Sequence, residues 1–167
     1  MRFGPYFLLL AACTFDGPAN PANGADADVA VDARAQPACR TLSTYQSSVE
    51  IDIWLRIVTG GQAQDYPSAA NACAADGARL AILLTNEDRA FADNLAPNDR
   101  TWIGMTRIAE NDWRWADGTQ ASLEQPPWAS GRPDGGEAQQ CVTLTDQGVF
   151  DDEPCDGARD YLCECAP

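Results

Sequence analysis

Six cysteines downstream of residue 38, with tryptophans and acidic turns set between them, constrain this chain more than any other feature. Cys39 and Cys73 come first. Trp102-Ile103-Gly104-Met105, Trp113, Trp115 and Trp128 follow. A Gly131-Arg132-Pro133-Asp134 turn leads to Cys141. Phe150-Asp151-Asp152-Glu153-Pro154 leads to Cys155, and Tyr161-Leu162 leads to Cys163 and Cys165. So many cysteines in a short chain indicate an oxidising compartment and a disulfide framework. Six cysteines admit 15 pairings, and spacing alone does not choose among them. Zinc is the competing use of the sulfurs. The chain has no histidine and no close Cys-x-x-Cys pairs, which argues against it.

The charge balance narrows function further. With 25 acidic and 11 basic residues the net charge is −14, which repels phosphate backbones and disfavours nucleic acid as a partner. The lack of histidine removes the commonest general base. No nucleophile–base pair or catalytic motif takes its place, so the sequence reads as a binding protein and not as an enzyme.

The seventh cysteine lies near the N-terminus. Met1-Arg2 is followed by a mostly apolar stretch from Phe3 to Ala12, which runs into Cys13 as Leu10-Ala11-Ala12-Cys13. The segment is too short to span a bilayer and reads as a processed signal. It resembles the lipobox of bacterial lipoprotein signal peptides. That implies a signal over residues 1–12 and a diacylglycerol on Cys13, so that a lipid anchor is the chain's contact with the membrane. The expected location is the cell envelope, as an outer-membrane lipoprotein or a secreted protein. An ordinary secretory signal with an incidental cysteine is the other reading. Residues 13–38 are Ala, Asp, Pro, Asn and Gly with few large apolar groups, and read as a flexible tether.

From Cys39 to Pro167 the pattern is that of one α+β domain. Val49, Ile51, Ile53, Leu55 and Ile57 alternate as a half-buried strand ended by Gly60-Gly61. Asp65 is placed to cap a helix with Pro67 in its first turn, and Gly77 to end it. Residues 78–83 read as a short strand. Asn86 is placed to cap a second helix, with Phe91 and Leu95 facing the core. Trp102–Met105 and Trp113–Trp115 read as neighbouring strands. Asp117-Gly118 turns the chain out into a long loop, and Cys141 and Tyr161 begin the returning strands.

In combination these motifs resemble the C-type lectin-like domain, over about Cys39 to Glu164. The resemblance implies two helices packed on short antiparallel sheets, stapled by disulfides, with a long loop that does the binding. It implies Cys73–Cys163 and Cys141–Cys155 bridges. Cys39 and Cys165 then remain, at chain ends that the family fold brings together; this third pair departs from the family's usual extra bridge. It also implies core positions for Trp102, Trp113 and Trp115, and a loop-anchoring role for Trp128. The implied function is recognition of a glycan. The alternative is a calcium-independent protein-binding or adhesion domain at the cell surface.

In calcium-binding members a Glu-Pro-Asn or Gln-Pro-Asp triplet, a strand Asn-Asp pair and a further acid meet at one ion. Here Pro133 and Asp134 match the end of the triplet. Asp151 and Asp152 match the pair, with Phe150 in the tryptophan position. Gln139 stands where the further acid belongs, and Arg132 where the first Glu or Gln belongs. A guanidinium cannot ligate a cation. The ligand-binding residues implied are therefore Arg132, Asp134, Glu137, Gln139, Asp151 and Asp152, with two arrangements open. In one, Asp134, Glu137, Asp151 and Asp152 hold calcium, Glu137 replacing the missing acid, and Arg132 swings outward. In the other, Arg132 pairs with Asp151 or Asp152 and replaces the cation.

Overall fold

The structure, a computed structural model, describes residues 37–48, 50–96, 100–121 and 127–166. Cys13 and the segments expected to be a signal (1–12) and a tether (up to residue 36) lie outside the described residues. No described helix is long and apolar enough to cross a membrane.

The described chain is α+β. A short 3-10 turn, Ala38–Thr41, leads into β1 (Gln46–Ser48) and β2 (Ile53–Val58). The alternating stretch is therefore a hairpin and not one strand. Ile51 and Asp52 form its turn, and Asp52 takes a left-handed φ of 41°. In β2, Ile53, Leu55 and Val58 are buried. The helix α1 (Tyr66–Ala75) starts as expected: the Asp65 carboxylate accepts from the Ser68 N–H at 2.9 Å, and Pro67 lies in the first turn. It ends at Asp76, just before Gly77.

The strand read over 78–83 is shorter than expected. Only Arg79–Leu80, β3, pairs in the sheet; Ala81, Ile82 and Leu83 are buried without strand pairing. The second helix, α2 (Asn86–Leu95), is capped by Thr85 and not by Asn86. The Thr85 hydroxyl accepts from the Asp88 N–H while Asp88 accepts from the Thr85 N–H, a reciprocal capping box. Phe91 and Leu95 pack against the core as their spacing requires.

The second half supplies β4 (Thr101–Ala109), β5 (Asp112–Trp115), β6 (Gln120–Ala121), β7 (Cys141–Leu144), β8 (Phe150–Glu153) and β9 (Tyr161–Glu164). Asp117-Gly118 turns the chain, but into β6, which pairs with β5 before the chain leaves the sheet. The path β1-β2-β9-β4-β5-β6 forms one edge-to-edge run. A branch from β4 carries β7, and β7 carries β8. β9 is central: it pairs antiparallel with β2 and β3, and parallel with β4 at Trp102↔Tyr161. The two ends of the domain thus meet, and the Cys165 N–H donates to the Trp54 carbonyl at 3.0 Å.

Gly104 explains how β4 crosses the core so closely. Its N–H donates to Ala81 O at 2.7 Å, and a Cβ at this position would collide with the Leu80 carbonyl. Trp102, Ile103, Met105, Leu55 and Leu162 are fully buried around it, and Trp113 and Trp115 nearly so. Burial of side chains this large is worth about 1.5–3 kcal/mol each, before conformational entropy is subtracted. The cysteines pair as Cys39–Cys165, Cys73–Cys163 and Cys141–Cys155. The first ties the 3-10 turn to the residue just after β9, the second ties α1 to β9, and the third ties β7 to the segment after β8.

Candidate functional site

β8 is the base of the site. It pairs with β7 on one side, at Thr143↔Asp151 and Val142↔Asp152. Its other side would be an open strand edge, which natural sheets cover. The chain from Pro127 covers it here. The Phe150 N–H donates to Pro127 O at 2.9 Å, and the Ala129 N–H to Phe150 O at 2.8 Å. Trp128 seats this segment: its ring lies 4.9 Å from Trp113 and 6.3 Å from Phe150. It is the loop anchor that the sequence implies.

The loop then runs through Arg132 to Gly135 against two acids of β8. The Arg132–Pro133 peptide is cis. Successive strand residues face opposite sides, and the two acids do different work. Asp152 accepts from the loop backbone, from the Asp134 N–H at 3.1 Å and the Gly135 N–H at 2.8 Å. A Cβ on Gly135 would meet the flexible Gln139 side chain, which packs against this turn. Asp151 takes charge instead. Arg132 Nε lies 2.8 Å from its Oδ1, an ion contact without hydrogen-bond alignment. Arg132 also pairs with Asp134 through its terminal nitrogen. Burial opposes the guanidinium charge, but Asp151, Asp134 and Asp152 outweigh it and raise its pKa above the ordinary arginine value.

Three residues that sequence reasoning missed extend the network. Arg100 reaches both Asp151, at 3.5 Å, and Glu153. Arg159 lies 2.8 Å from Glu153 and sits over the Trp102 ring at 5.3 Å. Glu153 is two residues beyond Asp151 on the same strand, so period two was the available signal for it. Nothing local marks Arg100 or Arg159, which reach the site only through the fold. Asp151, Asp152 and Glu153 are 4%, 1% and 4% exposed. Acids are this buried only when paired, and each of these is.

The implied ligand residues therefore divide. Arg132, Asp134, Asp151 and Asp152 come together. Glu137 does not face them. It sits on a short 3-10 turn, Gly136–Ala138, and lines a depression of about 90 Å³ with Arg107, Ile108 and Gln140. The turn carries its side chain toward the β4–β5 hairpin. The Gln139 oxygen is buried against Gly135 and finds no hydrogen-bond partner among the described residues.

The sequence profile of the Lectin C-type domain matches residues 62–165. The chain belongs to this family. C-type lectin domain family 10 member A of Mus musculus is 28% identical over 107 residues, 60% of this chain and 35% of that protein. This C-type lectin domain chain thus spans about a third of that relative's length. Among solved structures, the mouse scavenger receptor C-type lectin carbohydrate-recognition domain superposes with a TM-score of 0.66 at 21% identity. The match covers 74% of this chain and 95% of that one. A calcium-independent type II antifreeze protein gives 0.65 at 20% identity, covering 75% and 93%. These likenesses establish the C-type lectin fold.

Domains of this family are binding modules for carbohydrates or proteins, and they often bind calcium. Calcium takes six to eight oxygen ligands. In this C-type lectin domain each of the suitable carboxylates already has a partner: Asp152 two backbone N–H groups, Asp151 Arg132 and Arg100, and Asp134 Arg132 through one oxygen. Among the described residues no group of three His, Cys, Asp or Glu side chains is arranged to hold a metal ion. Of the four acids expected to share an ion, Asp134, Asp151 and Asp152 lie around Arg132 while Glu137 turns away, and the residues as placed do not fit one.

Proposed function

We propose that this chain is an extracytoplasmic binding module that recognises a glycan through the 128–140 loop and β8. The observation that carries this reading is the Arg132–Asp134 pair at the loop rim. Asp134 is 58% exposed, and its backbone is pinned from below by Asp152. A guanidinium and a carboxylate held side by side offer donors and acceptors to adjacent sugar hydroxyls. Holding them rigid before binding lowers the entropy lost on association. The names of the relatives, a C-type lectin and a carbohydrate-recognition domain, support the same class of ligand. Three disulfides favour a place outside the reducing cytoplasm.

The test is a glycan array probed with the soluble domain, in calcium and in chelator, beside an Asp134→Ala variant. The expected result is a set of glycans bound by the wild type and lost in the variant. An array on which the wild type binds no glycan in either condition would sink this reading. One observation would then favour a protein ligand. Ile108 is 62% exposed on the β4–β5 hairpin beside the 90 Å³ depression, far smaller than the roughly 300 Å³ minimum of a small-molecule pocket.

Membrane attachment through Cys13 belongs to the same proposal, on the strength of Leu10-Ala11-Ala12-Cys13. Clustering on a membrane would raise avidity without new contacts. A Cys13→Ala variant is expected to leave the detergent phase for the aqueous phase; unchanged partitioning would refute lipidation.

A further inference from the structure

We propose that Arg132 fills the seat of a divalent cation, so that the loop is locked by an internal guanidinium and binds its ligand without calcium. The inference concerns the loop of the proposed function, but it stands on contacts of its own. Along β8, Asp151 and Glu153 share one side and Asp152 the other. On the first side three guanidiniums alternate with two carboxylates. Arg132 contacts Asp151, Asp151 contacts Arg100, Arg100 contacts Glu153, and Glu153 contacts Arg159. Arg132 carries the series outward to Asp134.

Geometry explains why an arginine performs this task. A planar fork reaches two carboxylates at once, Asp151 on the strand and Asp134 on the loop, as a bridging metal would. On the other side of β8, Asp152 spends both oxygens on loop N–H groups, so the backbone is closed without an ion. Charge explains the rest. The carboxylates of Asp134, Asp151 and Glu153 face the guanidiniums of Arg100, Arg132 and Arg159, three against three. Repulsion among the acids is thereby nearly cancelled within the protein. A divalent ion entering here must first expel Arg132 from Asp151 and Asp134.

The deciding experiment is scanning calorimetry of the full chain in about 10 mM calcium and in chelator. Magnesium at equal ionic strength serves as the screening control, because the net charge is −14. A calcium site with a dissociation constant of about 1 mM would raise the midpoint by roughly 4–6 °C. The wild type is expected to melt within about 1 °C in both conditions. A calcium-specific rise of several degrees would overturn the proposal. In Arg132→Gln, an amide oxygen replaces the guanidinium. Its midpoint is expected to fall in chelator and to recover in calcium. A folded variant as indifferent to calcium as the wild type would overturn the assignment of Arg132 to a cation's seat. If that variant does not fold in either condition, the wild-type comparison decides alone. None of these readouts depends on which ligand the loop binds, so an empty glycan array leaves them standing.

Discussion

β9 and β8 are both buried strands, and they are held by opposite means. Around β9, the neighbours are Leu55, Leu80, Trp102 and two disulfides, and Leu162 is fully buried within the apolar core. On β8, Phe150 is followed by three acids buried just as deeply, each answered by a guanidinium or by backbone N–H groups. Depth of burial therefore does not reveal what holds a strand. Apolar contact is non-directional and tolerates repacking. Buried charge is directional, and loss of one partner leaves the other uncompensated. A binding loop gains from the second arrangement, because it becomes rigid while its rim stays polar.

Phe150 is where the two kinds of stabilisation meet. It begins the acidic strand, yet its ring is 0% exposed and packs 6.0 Å from Trp115 and 6.3 Å from Trp128. Phe150→Ala should produce the largest loss, about 3–5 kcal/mol in urea unfolding. It should also release Trp128, and with it the loop. A loss below about 1 kcal/mol would break the comparison, since the ionic network would then be holding β8 by itself.

Asp152→Ala sharpens the comparison from the other direction. It removes one carboxylate and strands two loop N–H groups, but those groups lie near the surface and water can reach them. The expected loss is about 1–3 kcal/mol, smaller than for Phe150→Ala, with a disproportionate loss of ligand binding. Asp152→Asn should be nearly as damaging, because half of the amide presents a donor to donors. If both variants keep full ligand binding, the loop is not pinned from β8 in the way the geometry indicates.

The apolar region was much more legible from sequence than the charged one. Trp102, Trp113 and Trp115 are core residues as the resemblance implies, and Asp65 caps α1 as its position before Pro67 suggested. Local pattern misled where two local signals competed. The alternation from Val49 to Ile57 looks continuous, but Asp52 turns the chain. Asn86 looked like a cap, but Thr85 with Asp88 three residues later satisfies more backbone donors. The ionic network was only half visible. Arg132 stood out because it departs from a known ligand pattern, and Asp151 because it matches one. Arg100 and Arg159 did not, since a long guanidinium finds its partner through tertiary placement and leaves no mark in the spacing.

Glu164 is the exception that tests the comparison with the smallest effect. It is a carboxylate within the apolar region, 7% exposed at the end of β9. Its oxygens accept from the Ile82 N–H at 2.7 Å and from Arg79 at 3.3 Å. Burial still dominates and raises its pKa above the ordinary value, against the opposing pull of Ile82 and Arg79. A carboxyl whose pKa is raised by folding binds its proton more tightly in the folded state. Its contribution to stability is therefore fully present below the unfolded value, near 4.5, and is lost as pH rises through the folded one. Glu164→Gln removes that dependence while keeping the shape. The stability of the variant relative to the wild type should therefore climb as pH rises from below about 4.5 toward neutrality. A relative stability that falls over the same range would mean that Arg79 and the Ile82 N–H hold the carboxylate better than water does. The apolar region would then contain a net stabilising ion pair after all, and the contrast with β8 would be one of degree.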